Sequence, residues 1–210
     1  MDKNALAINT YNQIAKIYSD KYFDDVSDTI YISKFLKLIP PGSKILDIGS
    51  GPGQFAKFMS ERGYLVEGID LSPQMVEIAR QKVPNIKFEL IDMRKLTFPE
   101  ASFDGLLVAY SLIHIPTDEV ETTIQGFYHV LKPGGKILLI TQKGDPDKII
   151  DEPLKVGHQM FINFFQKEKL VELLIRNRFS LISQDEVTSK DPDNLSDKII
   201  YTIARKWIRD

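Results

Sequence analysis

One stretch constrains this chain more than any other: Lys44-Ile-Leu-Asp-Ile-Gly-Ser-Gly-Pro-Gly53, followed by Gln54-Phe-Ala-Lys-Phe-Met-Ser60. An apolar run breaks into glycines at 49, 51 and 53, and a helix-compatible segment begins at once. This is the pattern of a buried strand, a tight backbone turn and a helix start. Glycine has no side chain, so such a turn can take positive φ and let a ligand approach the main chain. In open α/β sheets ligands bind at the carboxyl ends of strands, where these turns lie.

The rest of the chain repeats the strand–helix alternation. Residues 4–20 and 29–39 read as amphipathic helices, the first placing Tyr11, Ile14, Ala15 and Tyr18 on one face. Strands are expected at 43–48, 64–70, 86–91, 103–109 and 136–141, with helices at 53–62, 73–83, 117–131 and 167–177 between or after them. Ser72-Pro73 makes a good cap and first turn. Residues 179–187 and 197–206 read as two further strands, joined through a polar segment into an antiparallel hairpin. Residues 144–165 read as irregular, with an aromatic cluster at Phe161, Phe164 and Phe165 that suits core packing better than a substrate box. The alternation implies an α/β fold, a mostly parallel sheet of seven strands between helical layers, closed by the antiparallel hairpin.

Composition narrows the chemistry. The chain has 210 residues, enough for one domain with a substantial core. It has no cysteine, which excludes disulfides, thiolate metal sites and a cysteine nucleophile. Its three histidines, His114, His129 and His158, lie far apart, so no protein-bound metal is expected. A net charge of −2 gives no broad basic footprint, so nucleic acid is a poor partner. No apolar run approaches a membrane span, and a cytoplasmic protein without membrane attachment is expected.

Asp70 ends the second strand about twenty residues after the glycine turn. Together they form a nucleoside-binding arrangement, because a two-oxygen carboxylate suits the paired hydroxyls of a ribose. The alternative is an ordinary tight turn with a solvated acid. The glycine spacing is GxGxG with Gln54 next, which lacks the third glycine of the nicotinamide fingerprint and disfavours an oxidoreductase. A Walker lysine is also missing, which disfavours a triphosphate.

With these motifs the sequence resembles the class I S-adenosylmethionine-dependent methyltransferases, over about residues 4–205 and in the subset acting on small molecules. The resemblance is carried by Ile45-Leu-Asp-Ile-Gly-Ser-Gly-Pro-Gly53, Gly68-Ile-Asp-Leu-Ser-Pro-Gln-Met75, Ile91-Asp-Met-Arg94, Phe98-Pro-Glu-Ala-Ser-Phe-Asp104 and Leu131-Lys-Pro-Gly-Gly-Lys136. It implies a Rossmann-like three-layer sandwich with an N-terminal helical cap at 1–40, a methyltransferase domain at 41–210, and a substrate cover at 144–165. It also implies S-adenosylmethionine as cofactor and a small-molecule methyl acceptor.

The resemblance implies roles as well. Gly49, Ser50 and Gly51 would hold the methionine part of the cofactor, with Asp47 near its amino group. Asp70 would take the ribose diol, Leu71 and Met75 the adenine pocket, Asp92 the adenine amino group, and Met93 the ring face. Tyr110 would lie near the sulfonium, and Tyr11 and Tyr18 would close over the cofactor. For Met75, Tyr11 and Tyr18 plain core packing competes with these roles, and Asp92 also suits a cap for the turn at 93–94. His114, just past the fourth strand, is the candidate to take a proton from the acceptor, against a purely structural role. Asn177-Arg178-Phe179 departs from the family's frequent Ala-Gly-Phe. A protein that binds the cofactor or its demethylated product without catalysis is the competing reading, since the motifs bind rather than react.

Overall fold

The computed structural model describes residues 3–155 and 157–208. Seven strands form one sheet in the order β3-β2-β1-β4-β5-β9-β8. These are β1 (Lys44–Ile48), β2 (Leu65–Asp70), β3 (Lys87–Leu90), β4 (Phe103–Ala109), β5 (Leu131–Gln142), β8 (Phe179–Thr188) and β9 (Lys198–Lys206). β1 to β5 pair in parallel, whereas β9 runs antiparallel to both β5 and β8.

The two faces of this sheet are legible residue by residue, because successive strand side chains point to opposite sides. Leu106 and Val108 of β4, and Ile137 and Leu139 of β5, join one core with α5 (Thr117–Val130) and α6 (Lys167–Arg176). Leu107 and Ala109, with Leu138 and Ile140, join the other core with α2 (Thr29–Leu36) and α3 (Gln54–Ser60). Both faces are therefore covered, which explains why β4 and β5 read as nearly unbroken apolar runs. A third cluster seats α4 (Pro73–Lys82) on Phe88 of β3. Ser72 caps α4, its hydroxyl accepting from the Met75 amide at 3.2 Å, as the Ser-Pro pair predicts.

Two features differ from expectation. Residues 144–165 are not irregular: β6 (Lys148–Asp151) and β7 (Gln159–Ile162) pair as an antiparallel ribbon. Its strands are four residues each and its connection is long, so the short-turn hairpin signal is missing from the sequence. Phe161, Phe164 and Phe165 are core residues, buried in agreement with the packing alternative. Arg178, in turn, holds the left-handed conformation (φ 64) that glycine usually supplies after a helix. The turn is kept without glycine, with the Asn177 side-chain amide closing onto the Leu173 carbonyl at 2.9 Å.

The helix α1 (Lys3–Tyr22) contacts both α4 and β7 and so spans the carboxyl edge of the sheet. Thr10 donates to the Gln159 carbonyl at 2.7 Å, and Ser72 donates to the Asn12 side-chain oxygen at 2.6 Å. Among the described residues no helix is long and apolar enough to cross a membrane.

Candidate functional site

Two adjoining cavities open where the carboxyl ends of β1, β2 and β4 meet α1. The first is a narrow cleft, about 90 Å³, and the second is roomier, about 660 Å³. Tyr11, Tyr18 and Tyr110 belong to the walls of both and so stand between them.

The cleft is built on the glycine turn. The amides of Gly49 and Ser50 both donate to the Ile69 carbonyl, at 2.8 and 2.9 Å, which pins the turn to the end of β2. Gly49 has φ 70, and a Cβ there would lie 2.2 Å from the Cβ of Ser111. Ser111 cannot give way easily, because its hydroxyl donates to the Ile48 carbonyl at 2.6 Å. Gly49→Ala is expected to lower stability by about 2–5 kcal/mol, from left-handed strain plus overlap, measured by urea unfolding. Gly51 has φ 52, and a Cβ there would meet only the Gln54 side-chain oxygen at 3.9 Å and Tyr18 at 4.0 Å, ordinary contact distances. Its lack of a side chain leaves main chain bare on the cleft wall.

Asp70 closes the same corner. One carboxylate oxygen accepts from the Gly51 amide at 2.9 Å and the other from the Ser72 amide at 2.8 Å. Burial nonetheless holds its carboxyl above the usual range. Each oxygen still has acceptor capacity toward the cleft. Leu71, Met75 and Met93 supply an apolar wall. Met75 is 2% exposed, so it belongs to the core and to the cleft at once.

Asp92 lines the cleft too, but its carboxylate is engaged. It accepts from the Arg94 amide at 2.9 Å and pairs with the Arg94 guanidinium at 2.7 Å, and Arg94 also reaches Glu119. The capping alternative is thus realised at this position. Asp47 and Ser50 lie beneath the turn rather than on the cleft wall; they are 1% and 3% exposed, and among the described residues neither Asp47 oxygen nor the Ser50 hydroxyl has a hydrogen-bond partner. Burial, followed by the neighbouring Asp70, pushes the Asp47 carboxyl up to about 8.

His114 joins α1 to the ribbon. Its Nδ1 lies 3.1 Å from the Phe161 carbonyl, which can only accept, so Nδ1 carries the proton. Nε2 therefore accepts from the Tyr11 hydroxyl at 3.0 Å. Burial pushes the imidazole down to about 4, so it is neutral at ordinary pH, and burial holds the Tyr11 phenol well above its usual range. Tyr18 packs edge-on against Tyr11 at 5.7 Å.

Tyr110 follows β4 in a left-handed conformation, φ 53, uncommon for a bulky residue. This turns its hydroxyl onto Asp28 at 3.1 Å, and Tyr201 of β9 donates to the same oxygen at 2.5 Å. Asp28 is 6% exposed and was not legible as a site residue. It precedes α2 and so reads as a helix cap, yet it makes no side-chain cap bond. Nothing local in the sequence announces partners at 110 and 201. Glu152 and Gln142, on the wall of the second cavity, were missed for the same reason.

The residues present fit a nucleoside carrying a cationic tail. Gly51 leaves a cradle that a side chain would fill, Asp70 offers two oxygens to a diol, and Asp47 holds two orphaned acceptors beneath the turn.

A family model described as a methyltransferase domain matches residues 45–135. An uncharacterized methyltransferase of Synechocystis sp. is 29% identical over 146 residues, covering 70% of this chain and 67% of that protein. A demethylmenaquinone methyltransferase of Tropheryma whipplei is 35% identical over 108 residues, 48% of this chain and 42% of that protein. The chain thus spans about two thirds of the first relative's length and about two fifths of the second's. In fold it matches the Burkholderia thailandensis 1,6-didemethyltoxoflavin-N1-methyltransferase, solved with 1,6-didemethyltoxoflavin and S-adenosylhomocysteine. The TM-score is 0.76 at 21% identity, covering 97% of this chain and 88% of that one. Residues 45–135 are a methyltransferase domain on a Rossmann-like sheet. Over those residues the chain is similar to methyltransferases, and over most of its length it shares the fold of the solved one.

Proposed function

We propose that the protein moves a methyl group from S-adenosylmethionine to a small-molecule acceptor held in the second cavity. The observation that carries this reading is the shared wall. A nucleoside cleft on the glycine turn and a cavity of about 660 Å³, the size of small-ligand sites, meet at Tyr11, Tyr18 and Tyr110. When bound, the cofactor supplies an activated methyl on a sulfonium, so the protein needs no strong nucleophile of its own.

The roles follow from position. Asp70 binds the ribose diol, Leu71, Met75 and Met93 sandwich the adenine, and Gly49, Ser50 and Gly51 face the amino-acid tail with main chain. Asp92, held by Arg94, borders the adenine edge. Asp47 places buried carboxyl oxygens beneath the tail, and a cationic tail there favours its ionised form. Tyr110 stands at the boundary where methyl passes. Residues 3–40 act as a cap over the cleft, residues 1 and 2 of the expected 1–40 cap lying outside those described, and the β6–β7 ribbon of the 144–165 segment as the acceptor's cover, residue 156 again lying outside those described. The chain's main contribution is alignment of acceptor and methyl with water kept out, and positioning of this kind is worth roughly 7–11 kcal/mol.

A proton path is available where the acceptor must lose a proton. The Tyr11 oxygen can accept from the acceptor while its own proton passes to Nε2 of neutral His114. Tyr11→Phe is expected to keep affinity for S-adenosylhomocysteine while lowering the methyl-transfer rate by about 10²-fold, the low end for a positioned acid–base group. Equal rates in variant and parent remove the relay from the mechanism. The function itself is tested by turnover of methyl-labelled cofactor against a metabolite panel. Tight cofactor binding with no labelled product across the panel favours the binding-only reading.

A further inference from the structure

The wall of the second cavity has a chemistry of its own. It presents five carboxylates, those of Asp25, Asp28, Glu152, Asp191 and Asp193, against one lysine, the exposed Lys190. Asp28 and Glu152 are 6% and 5% exposed, and among the described residues neither has a salt-bridge partner. Gln142, 3% exposed on the same wall, has a side-chain oxygen with no hydrogen-bond partner among the described residues, and so has Gln54. The buried polar surface is thus rich in acceptors, and buried acceptors demand donors. Six tyrosines complete the wall, with Tyr31 stacked on Tyr201 at 3.6 Å. The protein already seats one of its own ammonium groups here. Lys21 binds Asp191 and Asp193, with its nitrogen 4.8 Å from the centre of the Tyr22 ring.

We infer that the methyl acceptor is a protonated amine on a flat or aromatic body, drawn in by Asp28 and Glu152 and methylated on nitrogen. This rests on the methyltransferase reading and names its substrate class. A concave wall of one sign concentrates counter-ions of the other, and tyrosine faces add cation–π attraction once water is excluded. An ammonium also brings several N–H donors to a wall that lacks them. For reaction one N–H proton passes to Glu152, of which, among the described residues, only one oxygen is occupied, by the Leu154 amide at 2.9 Å. The freed nitrogen pair then forms the N–C bond as the C–S bond breaks, and that bond's electrons remain on sulfur as the thioether. Burial holds the Glu152 carboxyl above its usual range, which favours its role as acceptor of that proton.

Three probes with one ring separate the charge requirement from the shape: tyramine (cationic), tyrosol (neutral) and 4-hydroxyphenylacetate (anionic). Calorimetric titration into the full chain saturated with S-adenosylhomocysteine is expected to give tyramine at least about tenfold tighter binding than tyrosol, the fold-change of one charge-assisted hydrogen bond. The acid is expected not to bind. Glu152→Gln is expected to erase most of the preference while leaving S-adenosylhomocysteine affinity unchanged, and Asp28→Asn to do the same from the other wall, each checked for folding by thermal melt. Tyrosol or the acid binding as tightly as tyramine overturns the inference, as does the absence of binding by all three. Failure of S-adenosylhomocysteine to bind is a failure of the cofactor reading instead. The same three titrations on the protein alone then decide the charge preference of the cavity.

Discussion

Asp47→Asn is expected to stabilise the ligand-free protein above pH 8 and, at the same time, to weaken its hold on the cofactor. Asp47 is 1% exposed, and among the described residues neither of its oxygens has a partner. Burial and the adjacent Asp70 push its carboxyl to about 8, against an ordinary 3.8. The unfolded chain releases this proton near 3.8 while the native chain keeps it to about 8. The native state therefore binds more protons between those values, and stability falls as pH rises through that window. The full cost above pH 8 is roughly 6 kcal/mol. Asparagine removes the charge but leaves a buried amide, itself costing about 1–3 kcal/mol. The net gain of about 3–5 kcal/mol corresponds to a melting temperature about 6–20 °C higher in a chain of this length. Melting curves from pH 4 to 9 read the effect, with the gain absent at pH 4. His114 contributes the opposite slope: the unfolded chain binds its proton near 6.5 and the native chain only near 4, so stability falls as pH drops between them. If Asp47 faces the cofactor's ammonium, S-adenosylhomocysteine affinity drops in the variant that melts higher. An unchanged affinity assigns Asp47 a purely structural place.

Asp70→Ala is expected to abolish measurable cofactor binding. The carboxylate offers two charge-assisted bonds to a ribose diol, each worth about 1.5–3 kcal/mol, so affinity is expected to fall by about 10²–10⁴-fold. The same side chain holds the Gly51 and Ser72 amides, so alanine also loosens the turn. Asp70→Asn separates the two effects. It keeps an acceptor for one backbone amide and the shape of the corner, and is expected to retain the fold while losing about tenfold or more in S-adenosylhomocysteine affinity, the value of one charged bond. Both variants binding as the parent does would place the nucleoside away from the β2 end.

The elements of the main sheet were readable because their signals are local. Apolar runs in β1, β4 and β5, Ser72-Pro73 at a helix start, and glycines at 49 and 51 each carry a backbone preference within a few residues. The cleft wall inherited that legibility, since Gly49, Gly51, Asp70 and Leu71 sit at strand ends or within three residues of them. The β6–β7 ribbon was not readable, because its short strands derive their order from α1 and the core rather than from a turn. Asp28 was not readable either. Its position before α2 suggests a cap, and only the packing of β9 beside β5 brings Tyr201 to it.

The sequence by itself thus determined the alternation of strand and helix and the glycine turn with Asp70 beside it, because each depends on backbone geometry over short spans. The tertiary structure alone decided which groups line the second cavity. Asp28, Glu152, Gln142 and Tyr201 come from four separated segments, and the charge of a cavity is a sum over whatever the fold assembles around it.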